Sequence, residues 1–224
     1  MELKGKVIDF LGDSITEGVG VTDRKNNRYD NRLKAKYGLQ AVNNYGIGGT
    51  RIAHQTKPSA KYRYDLCFCG RAYDLDPRAD IIVVYGGVND YLHGDAPFGT
   101  LEDTTPATFS GAVRALMRLL KELYPGKTVV FMTPAHCHFV GVSDKEVSRN
   151  ANKQPDAKPL IEYVKVIKTV GKEEGIPVLD LFENLGIDPN VESDRAALTG
   201  DGLHFNDAGH AYIASALGNF LRQL

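Results

Sequence analysis

The chain has 224 residues, 42% hydrophobic and 25% charged, and its 27 basic and 28 acidic side chains leave a formal net charge of -1. That is the balance of an ordinary globular protein, large enough to bury roughly 70% of its unfolded surface without a metal or disulfide staple. It supplies no basic field for a phosphate backbone and no uninterrupted apolar run of membrane-spanning length, so neither nucleic acid nor membrane is expected as a partner.

Short apolar runs alternate with helical patterns. Val7–Leu11, Gln40–Asn44, Ile81–Tyr85, Thr128–Met132 and Pro177–Leu181 read as five strands. The third, Ile-Ile-Val-Val-Tyr, is apolar on both faces, as a buried parallel strand requires. Between them, Asn26–Tyr37 sets Tyr29, Leu33 and Tyr37 at four-residue steps, with Gly38 as a stop. Pro106–Leu123 carries Phe109, Val113, Leu116 and Leu120 on one stripe, with Thr105 as its expected cap. Pro159–Glu174 repeats the pattern, and Asp207–Leu221 closes the chain. This alternation predicts an α/β fold, a parallel five-stranded sheet covered on both faces, in a single domain spanning 1–224. Two loops, Arg51–Pro77 and Pro134–Asp156, are long for such a fold, and long loops in compact domains are often functional.

Cys67, Cys69 and Cys137 are an odd, small number, which favours a reducing compartment. The one-residue gap in Cys67-Phe-Cys69 is shorter than usual zinc spacing, so two partly buried thiols are expected there and no metal. The N-terminal Met-Glu-Leu-Lys-Gly-Lys lacks the apolar stretch and cleavage site of a secretory signal, and a cytoplasmic location is expected.

Four blocks carry candidate chemistry. Gly12-Asp13-Ser14-Ile15-Thr16 follows the first strand, where ligands of open parallel sheets bind; taken alone, Ser14 reads first as a helix cap. Asn44-Tyr45-Gly46-Ile47-Gly48-Gly49-Thr50 follows the second strand and presents backbone N–H groups or, alone, is a tight turn needing positive φ. It fails the dinucleotide fingerprint, since Thr50 and Arg51 stand where the last glycine belongs. Gly86-Gly87-Val88-Asn89-Asp90 ends the most buried strand, and Asn89 there is either an oxyanion donor or an Asx-turn. Asp201-Gly202-Leu203-His204 precedes the last helix, a spacing that lets a carboxylate hold one imidazole nitrogen while the other points outward. There, Asn206 or Asp207 caps the helix, and His204 alone is incidental. Of the remaining histidines, His136 and His138 read as loop residues with ordinary hydrogen bonds, near enough to the same sheet edge to touch substrate. His54, His93 and His210 have no distinguishing context. Asp90 and Arg51 divide evenly between structural and substrate-contact roles.

Together and in this order, the blocks resemble the SGNH (GDSL) hydrolase family from Asp13 to His204. The resemblance implies a flavodoxin-like α/β/α sandwich and maps the family's Ser, Gly, Asn and His onto Ser14, Gly49, Asn89 and His204, with Asp201 as the remaining triad member. Gly49, five residues after Asn44, is the match for the family glycine, with Gly48 one position away. Ile15 stands where the family name has leucine, and Gly-Thr-Arg replaces the more usual Gly-Asp-Ser. The implied catalytic residues are Ser14, Asp201 and His204, with an oxyanion hole of the Ser14 and Gly49 N–H groups and the Asn89 amide. No metal and no organic cofactor are implied. An α/β-hydrolase elbow, Gly-x-Ser-x-Gly, is absent, as is a Gly-x-x-x-x-Gly-Lys phosphate loop.

The expected function is a serine esterase acting on a small-molecule ester. The Pro134–Asp156 segment, rich in Ser, Lys, Asn and Asp, offers no broad apolar lid, which favours acetyl groups on a carbohydrate over the longer chains of a lysophospholipase or thioesterase. The rival class is a flavodoxin-like module binding a small anion at Gly46–Gly49 without chemistry, which leaves Asp201 and His204 unexplained.

Overall fold

A computed structural model describes residues 1–147 and 154–224 of the chain. Strands β1 (Val7–Gly12), β2 (Ala41–Gly46), β3 (Ile81–Tyr85), β4 (Thr128–Met132) and β5 (Val178–Leu179) form one parallel sheet in the order β2-β1-β3-β4-β5. The winding reverses between β1 and β3, which opens a crevice at the carboxyl ends of those strands.

Side-chain alternation feeds two apolar layers. Ile8, Phe10, Ile81, Val83, Val130 and Met132 enter one; Leu11, Ile82, Val84, Val129 and Phe131 enter the other. The first layer is closed by Tyr29 and Leu33 of one helix, α2 (Tyr29–Tyr37), and by Ile213, Leu217 and Leu221 of the last, α6 (Asp207–Gln223). The second is closed by α4 (Phe109–Leu123), whose stripe of Phe109, Val113, Leu116 and Leu120 is buried with Val164, Ile167 and Val170 of α5 (Leu160–Glu174). The short helices α1 (Ser14–Glu17) and α3 (Val88–His93) each follow a strand of the crevice.

Several boundaries differ from the sequence reading. The expected helix Asn26–Tyr37 is two helices, Arg24–Asn27 and α2, separated by Arg28 in an extended conformation. The break lets Arg28 grip Asp30 through two hydrogen bonds, 2.7 and 2.8 Å, and frees Tyr29 N–H to donate to His210 Nδ1. Helix α4 starts at Phe109, because Thr108, not Thr105, caps it by accepting from Gly111 N–H. The last strand is short: Asp180 turns the chain by capping a helix at Leu181–Asn184. The 51–77 segment is no plain loop, since it contains Tyr62–Asp65, Phe68–Arg71 and Ala72–Asp74 as helical turns. Cys67, Cys69 and Cys137 are free thiols, all buried rather than partly exposed. Part of the expected 134–156 loop, residues 148–153, lies outside the described residues. Among the described residues, no helix is long and apolar enough to cross a membrane.

Gly12 pairs with Gly46 on one side and with Tyr85 on the other, so three strands end level. Positive φ does not explain Gly46; close approach does. A Cβ there would lie 2.2 Å from Glu17 N and 2.5 Å from Thr16 C, backbone atoms that cannot swing away. Gly46→Ala is therefore expected to lower unfolding free energy by about 1–3 kcal/mol or more in urea titration. A change below about 0.5 kcal/mol would contradict this packing.

Candidate active site

Ser14 opens α1, two residues beyond the end of β1. It is not the helix cap: Asp13 takes that position, its Oδ1 accepting from Ile15 N–H at 3.0 Å. The Ser14 hydroxyl instead meets His204 Nε2 at 2.9 Å, and His204 Nδ1 meets Asp201 Oδ2 at 2.6 Å. The other carboxylate oxygen of Asp201 accepts from the N–H groups of Leu203 and His204, at 3.0 and 2.8 Å. An ionised carboxylate can only accept, so Nδ1 carries the ring proton and Nε2 is left to accept from Ser14. Burial raises the Asp201 pKa, but the His204 ring and the two N–H groups outweigh it and hold the carboxyl below its ordinary range. The turn is fixed from outside: Thr199 bridges Phe205, and Asn206 caps α6 by accepting from Ala208 and Gly209 N–H.

The glycine turn is built by side chains of its own neighbourhood. Asn44 Oδ1 accepts from Gly46 N–H at 3.0 Å, while its Nδ2 donates to Thr16 O and Asp30 Oδ2 at 2.8 and 2.9 Å. Gly49 has φ +81° and lies under the Tyr64 ring, which a Cβ would meet at 2.2 Å. Gly48 N–H is already engaged, donating to Glu17 Oε2 at 2.6 Å, and Arg63 braces the same carboxylate oxygen at 2.9 Å. Asn89, the second residue of α3, makes no Asx-turn; its Nδ2 donates to Thr50 O at 3.1 Å and its Oδ1 lies 3.0 Å from His93 Nε2.

Sequence reasoning missed Arg71. Its guanidinium donates to Gly12 O, Tyr45 O, Leu66 O and Thr50 Oγ1, at 2.5–3.0 Å, tying the ends of β1 and β2 to the segment after the glycine turn. Burial lowers its pKa to about 10, so it stays charged at neutral pH. No motif announces it. His93 was also missed, although its four-residue spacing from Asn89 is a readable signal on a helix. Asp90, buried, accepts from Ile52 and Ala53 N–H at 2.9 and 3.0 Å, and Arg51, which lines the second cleft, is held by Asp65 and Ser59. Burial pushes the Asp90 carboxyl up to about 7.

A cleft of about 400 Å³ lies over Ser14, with Val19, Leu92, Phe139 and Leu203 as apolar walls and Glu17 and Lys61 as polar ones. Tyr64 and His93 separate it from, and also line, a second cleft of about 530 Å³ walled by Gln55, Thr56, Lys57, Ser59 and Asp95. His138 donates its backbone N–H to Gly202 O at 2.9 Å, buttressing the histidine turn. Among the described residues, His136, Asp144 and Asp188 bring three possible metal ligands within 4.8 Å; Cys67 and Cys69 are not part of this group. Asp144 is already satisfied there, accepting from His136 Nδ1, Cys137 N–H and Asn190 Nδ2. His210 is buried, and burial lowers its pKa to about 4, so it is neutral.

The model of the GDSL-like lipase/acylhydrolase family matches residues 10–212. The fold is similar to that of a protein from Lactobacillus plantarum, 30% identical over 98% of each chain with a TM-score of 0.81. A possible lipase from Chitinophaga pinensis is 23% identical, over 97% of this chain and 98% of that one, at 0.67. An acetyl xylan esterase is 21% identical, over 95% and 98%, at 0.62. No curated protein matches the chain in sequence.

Asp13 is buried beside the hydrogen-bonded Ser14, its Oδ2 has no partner among the described residues, and burial pushes its pKa up to about 6 from an ordinary 3.8. The folded state therefore holds this proton more tightly than the unfolded chain, and the stability it contributes below pH 3.8 is lost as pH rises through 6. Asn is neutral throughout and keeps the cap. Asp13→Asn should raise the melting temperature at pH 8 more than at pH 4. A pH-independent difference would contradict the buried, costly carboxylate.

Proposed function

The chain belongs to the GDSL-like lipase/acylhydrolase family and is a carboxylic ester hydrolase, and from that premise we propose that Ser14 is its nucleophile, His204 its general base and Asp201 the group that orients the base. The observation that carries this reading is the continuous chain Ser14 Oγ, His204 Nε2, His204 Nδ1, Asp201 Oδ2, with links of 2.9 and 2.6 Å. His204 Nε2 takes the hydroxyl proton as Ser14 Oγ bonds to the ester carbonyl carbon, and Asp201 stabilises the imidazolium. The C–O bond to the alcohol then breaks, and the alcohol leaves with the proton from Nε2. Water, deprotonated by the same nitrogen, attacks the acyl-enzyme and releases the acid and Ser14.

The oxyanion of each tetrahedral intermediate is received by the N–H groups of Ser14 and Gly49 and by Asn89 Nδ2. Among the described residues, neither of those N–H groups is spent on another hydrogen bond, whereas that of Gly48 is. This supports Gly49 as the donor. Asn89 Nδ2 has a second hydrogen beyond the one given to Thr50.

The substrate is a small-molecule ester with a short acyl group, such as acetyl, on a polar alcohol such as a carbohydrate. What supports this is the lining beside the Ser14 cleft: the neighbouring cleft, which shares Tyr64 and His93 with it, is walled by Gln55, Thr56, Lys57, Ser59 and Asp95, where a long acyl chain would find little apolar cover. A polyhydroxy ring finds hydrogen-bonding groups and the aromatic rings of Tyr64 and Phe139.

Hydrolysis of 4-nitrophenyl acetate should fall by about 10⁶ in kcat for Ser14→Ala and by roughly 10²–10³ for Asn89→Ala. Equal residual rates would contradict this division of roles. Across 4-nitrophenyl esters, kcat/KM should decline from acetate to decanoate, and acetylated oligosaccharides should be deacetylated. A rise towards decanoate would overturn the short-acyl reading and favour a lysophospholipase or thioesterase.

A further inference from the structure

An oxyanion donor supplied by an asparagine side chain has a weakness: the amide can turn over and present its oxygen. His93 sits one helical turn after Asn89 on α3, so the two side chains share a face. Its Nε2 is 3.0 Å from Asn89 Oδ1 and its Nδ1 is 3.3 Å from Arg51 Nη1. A guanidinium can only donate, so Nδ1 is the accepting nitrogen and the ring proton resides on Nε2. Nε2–H then donates to Asn89 Oδ1. A flipped amide would set Nδ2 against that N–H, donor to donor.

Thr50 reinforces the choice from the other end, its carbonyl accepting from Asn89 Nδ2 at 3.1 Å. Arg51 is in turn anchored by Ser59 Oγ and Asp65 Oδ1, at 2.6 and 2.9 Å. The result is a directed series of hydrogen bonds, Arg51 to His93 to Asn89, that ends at the cleft which Asn89 and Ser14 both line. We propose that His93 is a positioning residue of the ester hydrolysis, fixing the Asn89 amide with Nδ2 towards the oxyanion; this rests on the reading of Asn89 as an oxyanion donor.

The test is kcat and KM on 4-nitrophenyl acetate for the wild type, Asn89→Ala, His93→Leu, His93→Gln and the double variant Asn89→Ala/His93→Leu, with thermal melts of each. His93→Leu should lower kcat by up to the roughly 10²–10³ of a lost oxyanion donor, with KM little changed. Gln carries an N–H near the position of Nε2 and should restore most of the rate. In the Asn89→Ala background, His93→Leu should cost nothing further, since the proposed role of His93 acts through the Asn89 amide.

A full penalty from His93→Leu in that background would overturn the proposal, as would a His93→Gln variant as slow as His93→Leu. A rise in KM with kcat unchanged would do the same, by making His93 a substrate contact. A wild-type rate in Asn89→Ala would remove the oxyanion donor and the His93 role together, whereas a slow Asn89→Ala with an unaffected His93→Leu would overturn the role of His93 alone.

Discussion

Three parallel strands end at one level, with Gly12 in register with Gly46 and Tyr85, and a buried guanidinium holds two of those ends together. Everything proposed for the crevice depends on that alignment. The carbonyl of Gly12, which ends β1, accepts from Ile47 N–H at 3.1 Å and from Arg71 at 3.0 Å, and Arg71 also donates to Tyr45 O, one residue before the end of β2. It contacts Thr50 as well, so the segment that follows Gly49 is held to the same point. A buried guanidinium survives only when its own donors are met, which makes Arg71 and the strand ends mutually dependent.

Two aspartates near Ser14 have pKa values shifted in opposite directions. Asp13 is buried with one oxygen unpartnered, and burial raises its pKa; Asp201 is partly exposed, collects N–H donors from its own turn, and sits below its ordinary range. Asp201, held below its ordinary range by its hydrogen bonds, is the one placed against the imidazole. Environments that push like groups apart are how one site assigns separate tasks to them. Asp13 serves the backbone instead, capping α1 so that the Ser14 hydroxyl is left to the imidazole.

Much of this was legible because it rests on local chemistry. Strands β3 and β4 have the limits read from their apolar runs, since fully buried strands carry that signal without interruption. The resemblance of their blocks to the SGNH (GDSL) family points to Ser14, Asp201 and His204, and they lie within hydrogen-bond reach. What escaped was set by tertiary contact. The break at Arg28 serves Asp30 and His210, and the cap at Thr108 displaces a plausible Thr105. Gly46 looked like a turn glycine, whereas it is a packing glycine beneath α1. Arg71 is one arginine among many in the sequence; only the converging strand ends single it out. Gly48 and Gly49 differ by one position, and a single hydrogen bond from Gly48 to Glu17, a residue 31 positions away, separates them.

The most direct measurement is covalent labelling by phenylmethylsulfonyl fluoride, followed by intact mass and peptide mapping while residual esterase activity is tracked. An activated Ser14 predicts one sulfonyl group per chain, located on Ser14, with activity lost in proportion to labelling and no labelling of His204→Gln on the same timescale. Activity that persists in fully Ser14-labelled protein would contradict the proposed nucleophile, as would inactivation with the label on another side chain.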